Sequence, residues 1–322
     1  MRTFAFIIAA ISLRALAFDV DAWSEARALQ MKEALRLRQA YSNCLARLDA
    51  PAEDVTVPVD TYPSGAVKFL ISAKKAQFFL DTGMVWAENV VAKKFDEKGE
   101  VDTRIDARAL VVDRYTKSGW AEGPARVRQG PNTLSGSDIY FSSAESYVRI
   151  FKDTDLKSED VGAARSSKNS LASKLKPEEG KPLPARIRSV SGDYDRTAGV
   201  MLFDGNVVSE YAGEYTMKAE SLYAFFASSN EMSRVVALGG VSITNKTRIG
   251  KCAMATYRNL SREIEMFGEP SAPASLVENA EGGSELKGES IKFWIDAEQV
   301  EIKNSQIVTG PLGGKGVPWA TP

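Results

Sequence analysis

The 322-residue sequence contains no histidine and only two cysteines, Cys44 and Cys252. The first absence removes the commonest general base, the Ser-His and Cys-His nucleophile pairs and the commonest transition-metal ligand. The second leaves too few thiolates for a Cys-rich zinc site. Charge of one sign is not in excess: 41 basic against 42 acidic residues give a net charge of −1, so no global field recruits nucleic acid or an anionic surface. No phosphate-binding loop is present either. The near-terminal GPLGGKG has no strand before it and no helix after it. Carboxylates are abundant, but no pair is set apart by the aromatic platforms of a carbohydrate-cleaving site. A catalytic role, a metal and a cofactor are all unexpected. Long apolar runs are lacking too: Phe4 to Leu13 supplies about ten apolar or small residues before Arg14, too few to span a bilayer.

Those first residues, MRTFAFIIAAISLRALAF, do have another pattern. A basic start, a short apolar core and Ala15-Leu16-Ala17 read as a secretory signal peptide over residues 1–17, cut after Ala17. An uncleaved anchor is the alternative. No cysteine follows at a lipoprotein position. Export exposes Cys44 and Cys252 to an oxidising compartment. They lie in regions of different character, which favours two separate thiols.

Residues 18–50 lack Gly and Pro, and Trp23, Ala26, Leu29, Ala34, Tyr41, Leu45 and Leu48 recur at roughly helical spacing, so one amphipathic helix is expected before Pro51. Residues 63–152 alternate apolar and polar positions, with Gly, Asn and Asp at frequent intervals, which is an all-β texture. Residues 153–186 are rich in Lys, Ser, Glu and Pro and read as a linker. The β texture resumes over 187–308, and 309–322 read as a disordered tail.

A phrase repeats through both β regions. A small residue is followed three and five places on by apolar or small residues: Ala73-Ala76-Phe78, Ala107-Leu110-Val112 and Gly136-Ile139-Phe141, then Ala219-Leu222-Ala224, Gly250-Ala253-Ala255 and Gly288-Ile291-Phe293. A degenerate copy starts at Gly192, and copies begin about 27 to 38 residues apart except across the linker. A unit this short cannot bury its apolar face alone and must stack on its neighbours. The small residue permits a bend or a close approach of strands. Stacked units of this kind give either an elongated folded-over sheet with an apolar trough or a solidly packed sandwich.

Over Ser189 to Glu301 the motifs resemble an OstA-type (LptA-like) domain of the periplasmic lipopolysaccharide-transport proteins. They are Gly205-Asn206-Val207, Ala219 to Leu222, Gly239-Gly240-Val241, and Gly250 through Ala253 to Tyr257. Val67 to Asp153, with ISAKKAQFFLDTGMVWAENVVAKKFDEKGEVDTRIDARALVVD, is similar in pattern to the LptC-like partner of the same pathway. The resemblance implies two open β-jellyrolls, at 63–152 and 187–308, whose interior takes the acyl chains of lipopolysaccharide. It implies docking to other Lpt-type β-jellyroll proteins by edge strands, in a periplasmic bridge from an inner-membrane ABC transporter to an outer-membrane translocon. The transporter would supply the ATP, no nucleic acid is involved, and association with the inner membrane stays open. The trough is then expected to be lined by Phe69, Ile71, Phe78, Leu110, Val112, Ile139 and Phe141 in the first half. In the second half the lining is expected from Val207, Leu222, Val241, Ile243, Ile264, Ile291 and Phe293. For each, a packed core position is the plain alternative. Lys74, Lys75, Arg104 and Arg108 are candidates to meet cargo phosphates at the rim. The competing reading is a secreted structural or adhesive β-repeat protein with a solid core and no lipid.

Overall fold

From Ala52 onward the chain is a succession of antiparallel hairpins. The computed structural model describes residues 20–159, 185–211, 215–228, 231–278, 285–294, 300–304 and 306–308. The expected signal peptide, the tail with its GPLGGKG, and residues 160–184 of the expected linker lie outside the described residues. One helix, α1 (Val20–Ala46), precedes β1 (Ala52–Thr61), β2 (Val67–Phe79), β3 (Met84–Phe95), β4 (Val101–Asp113), β5 (Ser118–Gln129), β6 (Asn132–Ser142) and β7 (Tyr147–Ser158). Then follow β8 (Ala185–Ser189), β9 (Ser191–Asp195), β10 (Val200–Tyr211), β11 (Tyr215–Ser228), β12 (Glu231–Thr244), β13 (Arg248–Arg258) and β14 (Glu263–Phe267). The last are β15 (Ala274–Glu278), β16 (Glu285–Gly288), β17 (Ser290–Trp294), β18 (Val300–Lys303) and β19 (Gln306–Val308).

All nineteen described strands belong to one antiparallel sheet. The two β regions are joined in it by backbone hydrogen bonds: β7 pairs with β8 and β9, and both pair with β10. The described ends of the expected linker, 153–158 and 185–186, are therefore strand. Strand β1 begins before residue 63, where the alternation was expected to start. Pro58 disguises it, and Pro is tolerated there because β1 is an edge that pairs with β2 alone.

A transverse crease folds this sheet over. The pairing skips a residue at Asp54, Lys74, Asn89 and Arg108, then at Gly123, Asp138, Gly205–Asn206, Glu220 and Gly239–Gly240. Successive skips lie opposite one another on neighbouring strands. Several of these residues have left-handed backbone, among them Asp54, Asn89, Gly123, Asp138 and Gly239. At Asp54, Lys74 and Asn89 single opposed residues leave the ladder with the register kept, and from Arg108 onward the register shifts as in a β-bulge, which bends its strand locally. A column of aligned skips bends the whole sheet along one line, so each long strand contributes to two facing arms.

The crease explains the repeat. Between Ala107 and Leu110, or Gly136 and Ile139, one extra bulge residue is inserted, so a spacing of three keeps both on the inner face. The small residue lies at the floor of the fold, where strands press together. A Cβ on Gly136 would sit 2.3 Å from Ile150 Cγ2 and 2.8 Å from the Lys152 carbonyl oxygen. Ala73, Ala76, Ala87, Ala107, Ala121 and Ala125 continue this floor in the first half.

Helix α1 lies on the outer face of one arm. Its inward stripe is Trp23, Ala34, Leu37 and Cys44, buried, with Arg27, Gln30 and Tyr41 partly buried between them, at spacings of three and four. Leu29 and Leu45, expected on that stripe, are 64% and 49% exposed. Two polar members, Arg27 and Gln30, hide the true stripe from an apolar count. Ala34, Leu37 and Cys44 pack on Phe79, Met84, Trp86, Val111, Trp120, Tyr140 and Tyr147. Trp23 reaches the other half and packs with Val200 and Leu202. The helix thus spans the junction between the two β regions.

Candidate functional site

The two arms enclose an elongated cavity of about 980 Å³ that runs through both β regions. Inward-facing side chains line it because pleating alternates and the bulges keep the alternation in phase across the crease. Of the expected lining, Phe69, Ile71, Leu110, Val112, Ile139, Phe141, Leu222, Ile243 and Ile264 border the cavity. Val207, Val241, Ile291 and Phe293 are instead fully packed in the core of the second half and do not border it. They share that core with the buried Met266 and Leu276. Phe78, 41% exposed, lies at the end of β2 where nothing covers it, and it too is outside the lining.

The second half supplies lining that the alternation did not reveal, including Tyr194, Met201, Tyr211, Tyr215, Met217 and Met232. For Tyr211 the phase is visible only once the bulge at Gly205–Asn206 of β10 is counted. Among the described residues none of β15 to β19 borders the cavity.

The mouth of the cavity has two unlike lips. On the arm without the helix the lip carries Gln129, Asn132, Ser158, Tyr211 and Tyr215, of which Ser158 and Tyr215 also border a second hollow lined by Arg126, Arg128, Lys157 and Arg186 with Glu159 and Glu210. Lys68 and Lys94 also line the cavity on this side, and each has a carboxylate partner, Asp60 at 3.1 Å and Asp102 at 3.5 Å. On the helix-covered arm the lip is a row of hairpin turns carrying Arg114, Lys117 and Arg196. The rim cations expected from the sequence lie elsewhere. Lys74, Lys75 and Arg108 are at or beside the crease, and Arg104 is paired with Asp106 at 2.7 Å.

The helix-covered arm is held by acid–base contacts. Asp193 accepts from Arg27 at 2.6 Å, from Arg149 at 2.7 and 2.9 Å, and from the Tyr147 hydroxyl. Burial, then the Asp193 charge, pushes the Tyr147 phenol up. Tyr140 donates to Gln30 Oε1 at 2.6 Å, and burial pushes its phenol up to about 12. Burial alone would raise the Asp113 carboxyl. The Arg36 guanidinium at 2.7 Å and the Tyr115 and Thr116 N–H groups outweigh it and hold Asp113 below the usual carboxylate range. Cys44 and Cys252 are both buried and free, in separate cores. Burial pushes the Cys252 thiol up to about 12. Among the described residues no helix is long and apolar enough to cross a membrane.

An antiparallel sheet creased over an apolar cavity, with a polar mouth along its length, is built to hold a molecule with a long greasy part and an exposed polar one. Residues 186–306 match the family model described as "LptA/(LptD N-terminal domain) LPS transport protein". A solved structure titled as LptH, "the LptA homologous periplasmic component of the conserved lipopolysaccharide transport device from Pseudomonas aeruginosa", is similar at 15% identity and a TM-score of 0.35. The match covers 40% of this chain and 96% of that one. No curated protein matches the sequence.

Proposed function

We propose that this protein is a periplasmic component of lipopolysaccharide transport that carries the acyl chains of its cargo between the two arms. In this reading the β regions, 63–152 with β1 and 187–308, are two consecutive segments of a bridge between an inner-membrane ABC transporter and an outer-membrane translocon. Other β-jellyroll proteins of the pathway add to the edge at β1, which among the described strands pairs with β2 alone. The observation that carries the reading is the apolar cavity continuing from Phe69 in β2 to Ile264 in β14. Each buried methylene contributes about 0.8 kcal/mol, so acyl chains bind a dry trough without any catalytic group.

The test is site-specific photocrosslinking in living cells. A benzophenone side chain at Phe141, which borders the cavity, forms an adduct detected by antibody to lipopolysaccharide. The same probe at Phe293, in the packed core of the second half, and at Phe78, outside the trough, forms none. Equal labelling at all three positions, or none at Phe141 with the protein at normal abundance, overturns the proposal.

A further inference from the structure

Two hairpin turns of the helix-covered arm are written alike, Asp113-Arg114 at the end of β4 and Asp195-Arg196 at the end of β9. In both, the two oxygens of the aspartate are divided between the same two tasks. Oδ1 closes the turn: Asp113 Oδ1 accepts from Tyr115 N at 2.9 Å and Thr116 N at 3.3 Å, and Asp195 Oδ1 accepts from Ala198 N at 2.9 Å. Oδ2 holds the helix: Asp113 Oδ2 accepts from Arg36 at 2.7 Å and Asp195 Oδ2 from Trp23 Nε1 at 3.0 Å. Asp113 is thereby paired with Arg36, while Asp195, held by neutral N–H donors, keeps its charge beside Arg196. Arg114 and Arg196 border the cavity mouth, with Lys117 from the first of the two turns.

The turn between β6 and β7 lies between these two and ties them together. Ser143 donates from N and Oγ to the Lys117 carbonyl at 3.0 and 2.9 Å, and Arg196 N donates to the Ser146 carbonyl at 3.1 Å. The lip is therefore a hydrogen-bonded row rather than three independent loops. Arg114, Lys117 and Arg196 are exposed and have no carboxylate partner among the described residues. The Ser143 and Ser146 side chains border the same stretch of mouth. The cavity's other cations, Lys68 and Lys94, are already paired. So three cations without a salt bridge among the described residues border the mouth on the helix-covered lip, with Glu145 exposed in its middle turn and the Lys117 charge acting on the Asp60 carboxyl.

We propose that this lip is an anion subsite for the phosphate groups of the molecule whose acyl chains fill the trough. Arginine forks and serine hydroxyls match phosphate oxygens. An amphiphile with its tails between the arms presents its headgroup at the mouth. The cationic turns then draw its phosphates toward the helix-covered arm. The site takes phosphorylated amphiphiles in preference to neutral ones with the same tails. This rests on the lipid-carrier reading above and adds a selectivity that reading does not contain.

The test measures binding of the purified full chain to bisphosphorylated lipid A and to its enzymatically dephosphorylated form, by displacement of a fluorescent acyl probe. The phosphorylated form is expected to bind more tightly. An Arg114→Gln/Lys117→Gln/Arg196→Gln variant is expected to lose most of that difference, about fivefold for each cation and roughly 100-fold for all three. Binding of the dephosphorylated form is expected to be unchanged by the variant, and the preference to shrink in 0.5 M salt. The substituted residues are exposed, and circular dichroism checks the fold. If both lipids bind equally to the natural chain, the lip is not a phosphate subsite, while the lipid-carrier reading survives. If neither lipid displaces the probe, both fail. If 10 mM inorganic phosphate alone weakens lipid A binding as much as the triple substitution does, the lip takes free phosphate and the headgroup assignment is overturned.

Discussion

Replacing Asp193 by alanine tests whether the helix is a structural brace or a passive cover. Asp193 sits in β9 of the second β region, its side chain 2% exposed. It joins three elements at one carboxylate: Arg27 from α1, and Tyr147 and Arg149 from β7 of the first region. Removing the carboxylate leaves two mostly buried guanidinium groups facing each other without an anion. No spare acceptor is at hand, since Nε of both Arg27 and Arg149 is already without a hydrogen-bond partner among the described residues. Breaking a buried pair by deleting one partner costs about 3–5 kcal/mol. For a protein of this size the midpoint of thermal unfolding is expected to fall by about 10 °C. The assay is thermal unfolding followed by circular dichroism, with urea unfolding to give the free energy. Arg27→Met in the Asp193→Ala background should restore part of the loss, because it removes one stranded charge. A loss below about 1 kcal/mol for Asp193→Ala would show that water replaces the carboxylate and that the cluster does not brace the junction.

Acid should weaken the fold through carboxylates held below their ordinary range, such as Asp113 beside Arg36 and Asp138, where Lys152 and the Gly123 N–H outweigh burial. A depressed folded-state pKa contributes stability above the unfolded value of about 3.9 that is lost as pH falls through the folded value. Thermal midpoints should therefore be flat from neutral pH to about pH 5 and fall below about pH 4, less steeply in Asp113→Asn. Gly136→Ala should destabilise by about 1–3 kcal/mol in urea unfolding, since its Cβ would lie 2.8 Å from the Lys152 carbonyl oxygen and backbone must move. Both thiols should resist alkylation at pH 8 in the folded chain and react once it is unfolded, with Cys252, pushed up to about 12, the slower.

Much of this architecture was legible. The alternation around Phe69 and Ile71 and the three-then-two spacing at Ala107 and Gly136 gave strands and a recurring bend. The spacing of three was itself the mark of a bulge, because an uninterrupted strand keeps one face only at even intervals. What stayed hidden depended on tertiary partners. Val241 and Phe293 face the same interior as Leu222 and Ile243, and only their packing in one core with Met266 and Leu276 separates core from lining. The helix stripe was misread at Leu29 because Arg27 and Gln30 are partly buried by partners more than a hundred residues away, Asp193 and Tyr140. The cations of the lip escaped notice because Arg114 and Arg196 read as ordinary turn residues until their turns are seen to border the mouth.

The cavity is bordered by successive strands from β2 to β14, so its two dimensions have separate genetic controls. The span from crease to hairpin turn fixes the bore, and the number of hairpins fixes how far it extends. Duplicating one unit with its bulge would lengthen the conduit like an added stave, with the bore untouched and every backbone group of the new seam paired.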